Sequence, residues 1–180
     1  MKSKSKIWII MLLILSLLVV GCANDAKPEE TGDSNTPAEE VDAVKIGSVL
    51  PLTGAQATTG ANLKVAKEVA VDLINNVHDL DWDLARNEGI AALGGAKIDL
   101  LFADCQSDAT IASTEAANLL EQDISGITGA YSSGFSASVA AQALEYNVPM
   151  ICGSSSSASL TDGVTYDFGS IFHRIAANDE

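Results

Sequence analysis

The sequence predicts an α/β fold, an open parallel sheet with helices on both faces. Two observations carry that prediction. From about residue 43 onward, short β-branched runs alternate with segments of helical period, the rhythm of repeated strand–helix–strand units. Hydrophobic residues make up 47% of the 180-residue chain while aromatics make up only 5%, so the core must be built from Ala, Val, Leu and Gly, as α/β packing often is.

The elements follow in order. "VKIGSVL", Val44 to Leu50, is a β-branched strand closed by Pro51, and "PLTG" reads as the turn after it. "NLKVAKEVAVDLIN" is an amphipathic helix, with Leu63, Ala66, Val69, Ala70 and Leu73 on its apolar face and Lys64, Lys67, Glu68 and Asp72 off it. Residues 77–96 form a long connection that reads as an insertion before the second strand, "KIDLLFAD". Asp108 is placed to cap the helix "ATIASTEAANLLEQ". "GITGAY", "SGFSASVAAQALEY" and "VPMICG" then give strand, helix and strand, and "IFHRIA" a late fifth strand.

The first 42 residues have a different character. "MKSKSK" supplies positive charge, and the apolar run "IWIIMLLILSLLVV" spans about 14 residues, fewer than the roughly 20 that cross a bilayer as a helix. An export signal is the expectation. The run ends in "LLVVGC", which resembles the lipobox of bacterial lipoproteins. Residues 1–21 are thus expected to be a lipoprotein signal peptide, and Cys22 the acylated first residue of a protein held outside the cytoplasmic membrane. Residues 22–42 carry two prolines, many carboxylates and little apolar surface, the composition of a disordered acidic tether. Residues 43–180 are then the folded part.

Charge and motifs exclude several functions. A formal charge of -14 leaves no electrostatic footprint for nucleic acid. There is no P-loop, so any ATP hydrolysis belongs to a partner, and no cofactor is expected. Asp79, Asp81 and Asp83 stand at positions one, three and five of a calcium-loop pattern, but Leu84 and Ile90 occupy the places of its Gly and Glu. That stretch reads as a surface loop, and no metal site is assigned. A serine hydrolase lacks its G-x-S-x-G, and the chain's two histidines, His78 and His173, fall in a loop and on a strand; a non-enzyme is the expectation. Cys105 and Cys152 fall at the ends of different strands and read as unpaired buried thiols.

In an open parallel sheet, ligands bind beyond the carboxyl ends of the strands, where the strand order reverses. Three loops there carry the candidate chemistry: "PLTGAQATTG" after the first strand, "YSSG" after the third, and "GSSSSASLT", Gly153 to Thr161, after the fourth. Ser132 and Ser133 open a helix, where free amides and the helix dipole favour an anion beside two hydroxyls. Ordinary capping by serine is the alternative at that position. The run from Ser154 through Ser155 and Ser156 is either a flexible linker or a wall of hydroxyls and amides, and the strand before it favours the wall.

"VKIGSVLPLTGAQATTGANLKVAKEVAVDLIN", "GAYSSGFSASVAAQALEYNVPMICGSSSSASLTD" and "IFHRIAANDE" together resemble the amino-terminal lobe of bacterial solute-binding proteins of the branched-chain amino acid type, the receptors of ATP-driven (ABC) importers. The resemblance implies a type I periplasmic binding fold and a small ligand carrying a carboxylate, such as an amino acid. It also implies permease and ATPase partners at the membrane. It places the carboxylate on Ser133, both carboxylate and ammonium on Ser156, and the ammonium on the carbonyl of Ser154, with Tyr131 on the pocket wall. The aromatic that usually packs on the ligand side chain falls at or near Thr59, a departure that weighs against an aliphatic amino acid. The second lobe of the family, with its acidic residue for the ammonium, has no counterpart within residues 43–180. A fragment, or a chain without transport function such as a ligand-sensing surface lipoprotein, is therefore the alternative implied.

Overall fold

The computed structural model describes residues 43–179. The signal peptide, Cys22 and the tether expected from the sequence lie outside the described residues.

Five parallel strands make one sheet: β1 (Ala43–Leu50), β2 (Lys97–Asp104), β3 (Gly126–Gly129), β4 (Met150–Cys152) and β5 (Phe172–Arg174). Their order is β2-β1-β3-β4-β5, so the chain runs outward from β1 first to one side and then to the other. The reversal lies between β1 and β3, and the loops after those strands diverge there to leave a crevice. Three helices connect the strands: α1 (Ala57–Asn75), α2 (Ala109–Leu120) and α3 (Ser133–Glu145). The predicted strand and helix order is reproduced in full.

The core lies between the sheet and the pair α2 and α3. Val49, Ala103 and Ile127 face Ala112, Ala116, Leu119, Val139, Ala140 and Ala143, all buried. Small residues on these two helices let them approach the sheet and each other closely. Asp108 caps α2 as expected, its carboxylate accepting from Thr110 N at 2.7 Å and Ile111 N at 3.0 Å. The Ile111 and Thr110 amides hold its carboxyl below the ordinary range.

On the other face α1 differs from expectation in two ways. It begins at Ala57, five residues before Asn62. Its apolar stripe is also rotated, since Val69 is 53% exposed while Lys67 points inward and donates to Thr128 Oγ1 at 2.9 Å. The reason is the close seat of the helix start on the first loop, where a Cβ at Gly60 would stand 2.0 Å from Pro51 O. That contact fixes the helix's rotation before any apolar residue can choose its face.

Residues 77–96 form an ordered excursion with two short 3-10 turns, Asp83–Ala85 and Ala91–Leu93, and an antiparallel bridge between Ile90 and Ala96. Asp81 and Asp83 there pair with Arg86. Cys105 and Cys152 are free and buried, as the sequence suggests.

Candidate functional site: the serine edge

The carboxyl ends of β1, β3 and β4 bring three loops to one edge. After β1, Asp104 at the end of the neighbouring β2 organises the backbone. Its carboxylate accepts from Leu52 N (2.8 Å), Thr53 N (3.1 Å), Thr53 Oγ1 (2.6 Å) and Gln106 N (2.8 Å). Desolvation pushes the Asp104 carboxyl up, yet the Thr53 hydroxyl and these amides outweigh it and hold the group below the usual carboxylate range. Ser107 adds a second tie, accepting from Gln56 N at 3.0 Å and donating to Thr53 O at 2.9 Å. Thr59 lies in the first turn of α1, at the end of this loop.

After β3, the backbone passes Gly129 and Ala130 and enters α3. Gly129 has φ of +128°, and a Cβ there would meet Val49 O at 2.2 Å, so only glycine lets β3 close on β1 at this point. Ser132 is the N-cap of α3, extended at φ −91° and ψ 156°, and its hydroxyl makes no capping bond. The capping alternative read from the sequence is therefore not the arrangement found. The first-turn amides of α3, those of Ser133, Gly134 and Phe135, have no intrahelical acceptor, and the helix dipole favours negative charge beside them.

After β4, the serine run folds back on α3 instead of hanging free. Ser154 Oγ donates to Tyr131 O at 3.1 Å, and Ser157 N donates to Ser133 Oγ at 3.3 Å. The 3-10 turn Ala158–Leu160 then anchors the run in the core through Leu160, which is 2% exposed. The linker alternative fails on these bonds. Ser156 is half-buried, and its hydroxyl makes no hydrogen bond among the described residues.

One of the expected ligand residues is used differently. Ser155 is 1% exposed, and its hydroxyl lies 2.7 Å from that of Ser136, which donates to Ala130 O at 3.1 Å. Cys152 Sγ closes the group, 3.4 Å from Ser136 Oγ and accepting from Ser155 N at 3.4 Å. Burial pushes the Cys152 thiol up, and the bonds from Ser136, Ser155 and the adjoining backbone more than reverse it. Ser155 thus ties the two serine loops together from inside; its hydroxyl is not open to a ligand.

The edge therefore gathers Tyr131, Ser132, Ser133, Ser154 and Ser156, all half-buried, around the uncapped start of α3. No hydrogen bond joins Thr59 to them among the described residues. Sequence reasoning missed Asp104, Ser136, Ser157 and Arg174. The first could have been found as an acid ending a strand beside a turn, whereas the others act through partners distant in the chain. The hydroxyls at this edge bond to carbonyls, an amide, the Cys152 sulfur and one another. The arrangement suits binding an oxyanion with neutral donors.

Comparison with known proteins agrees with this architecture. The Streptococcus pneumoniae branched-chain amino acid transporter substrate-binding protein LivJ, solved in complex with isoleucine, is 23% identical with a TM-score of 0.61, over 76% of this chain and 34% of that one. A leucine-binding protein from Thermotoga maritima gives 24% identity and 0.61 over 76% and 33%. A Rhodopseudomonas palustris solute-binding protein in complex with 4-hydroxybenzoate gives 20% and 0.58 over 76% and 32%. The chain spans about a third of the length of these proteins. No curated protein sequence matches it. The sequence pattern of the family described as periplasmic binding protein matches residues 43–178, which covers every strand, helix and loop described above. The chain belongs to the periplasmic binding protein family.

Proposed function

We propose that this chain is the amino-terminal lobe of a substrate-binding protein serving an ABC-type importer, and that it takes a small carboxylate, an amino acid or an aromatic acid, at the serine edge. The observation that carries this reading is the meeting of the two serine loops through Ser157 N and Ser133 Oγ beside the uncapped amides of α3. A carboxylate seated there receives the Ser133 and Ser156 hydroxyls and the first-turn amides, each such charge-assisted bond being worth about 1.5–3 kcal/mol. Tyr131 and Ser132 line the approach, and the Ser154 carbonyl would accept from an ammonium. Isoleucine and 4-hydroxybenzoate, the ligands of two structural neighbours, represent the two ligand classes.

Delivery to a permease, driven by a partner ATPase, is part of the same proposal, as is attachment outside the cytoplasmic membrane through acylated Cys22. Replacing Cys22 with Ala should move the protein from the membrane to the soluble fraction. On native protein from the membrane fraction, Ser133→Ala and Ser156→Ala should each weaken binding of the preferred acid by about 1–3 kcal/mol in calorimetry. Unchanged affinity in both variants would remove the site assignment.

A further inference from the structure

We infer that Arg174 is a positioning residue for the serine loop and supplies the positive charge behind it, an inference that rests on the ligand-edge reading above. Arg174 ends β5, in register with Cys152 of β4. Its Nη1 donates to Ser157 O at 2.8 Å and its Nη2 to Thr161 Oγ1 at 3.1 Å. One planar guanidinium therefore spans the loop from its middle to its end. Ser157 is also the residue whose amide donates to Ser133 Oγ, so a single residue separates the cation from the expected carboxylate seat. The segment after β5 adds two more ties, Ile175 N to Cys152 O at 3.0 Å and Asp179 N to Ser156 O at 3.1 Å.

Two features make this more than packing. Arg174 forms no salt bridge among the described residues, whereas Arg86, Lys64 and Lys97 each have an acidic partner. In a chain of formal charge -14, a cation without a salt-bridge partner among the described residues thus stands one residue behind a cluster of neutral donors. The bond pattern also needs the fork, because a lysine ammonium is a point charge on a flexible stem and does not hold two fixed acceptors in one plane. The inferred ligand class is accordingly a free acid in preference to its amide.

Two readouts on the full chain separate latch from charge. Hydrogen exchange of the amides of residues 156–161 should quicken in both Arg174→Gln and Arg174→Lys, and partly in Thr161→Val; unchanged protection in both Arg174 variants overturns the latch. Affinities for 4-hydroxybenzoate against 4-hydroxybenzamide, and for isoleucine against isoleucinamide, read the charge. Arg174→Gln should cut the acid-over-amide ratio by about 3- to 10-fold, while Arg174→Lys lowers affinity and keeps the ratio. Equal weakening of acid and amide in Arg174→Gln overturns the charge role, because a loosened loop alone does that. A wild-type chain that binds neither acid counts against the receptor reading, and the exchange data still decide the latch.

Discussion

The two faces of the sheet are covered by helices of different make-up. Under α2 and α3, the contact residues Ala112, Ala116, Val139, Ala140 and Ala143 are fully buried, and Leu119 and Leu120 fill the spaces between them. Under α1, the row that crosses the sheet through Phe102, Ser48, Thr128, Ile151 and His173 is met by lysines. Lys64 lies over the Phe102 ring at 4.8 Å, and Lys67 reaches Thr128. Beyond Thr128 the face is open, with Ile151 51% exposed, and α1 itself shows Val65 and Val69 to solvent. Parallel sheets are ordinarily covered on both faces. Stability is therefore concentrated on one side, while the serine edge is built across the end of both.

Truncating one apolar side chain to Ala on each side separates the two faces most clearly. Leu119→Ala should cost about 2–5 kcal/mol of unfolding free energy by denaturant titration. Val69→Ala, on the open side, should change it by less than about 0.5 kcal/mol. Similar losses for the two would mean that the α1 face is buried in solution.

Lys67 gives the next largest effect. Desolvation, opposed by the charge of Cys152, pushes its ammonium down to about 8 from an ordinary value of 10.5. Between those values the unfolded chain holds the extra proton, so stability should rise as pH climbs from about 8 to 10.5, with the burial cost fully present below that window. Lys67→Met should abolish the rise and raise stability at neutral pH by up to about 2 kcal/mol. A pH-independent wild type over that window would show that Lys67 sits in water.

Smaller still are the effects of the carboxylates at and beyond the carboxyl end of β2. Asp108→Ala should lose about 1 kcal/mol through the lost cap of α2. Asp104 is held below its usual range, so its contribution is present above the ordinary carboxylate pKa and is lost as pH falls through the lowered one. In Asp104→Asn, exchange of the Leu52 and Thr53 amides should quicken at neutral pH, and the acid-driven quickening seen in wild type should disappear.

The same contrast explains what the sequence reveals. The α2–α3 face is legible because its residues obey local rules: Asp108 precedes a helix, Ala and Leu recur at helical spacing, and Ile127 sits in a short β-branched strand. Helix α1 misleads because the tight contact at Gly60, a tertiary fact, sets its rotation and turns Lys67 inward against the amphipathic pattern. At the site, the serine loops announce themselves by position after strands. Which hydroxyl stays open at the edge does not, since Ser154, Ser155 and Ser156 are chemically identical neighbours. Only the packing of Ser136 and Cys152 turns Ser155 inward, and only the return of β5 brings Arg174 behind Ser157.

A titration of the isotope-labelled chain with isoleucine and with 4-hydroxybenzoate, followed by amide NMR, decides whether the serine edge binds a small carboxylate. Binding there should give saturable shifts concentrated at Ser132 to Phe135 and at Ser154 to Ser157, with little change in residues 77–96. Shifts that never saturate, or that centre on the open face around Ile151 and Val69, would contradict it.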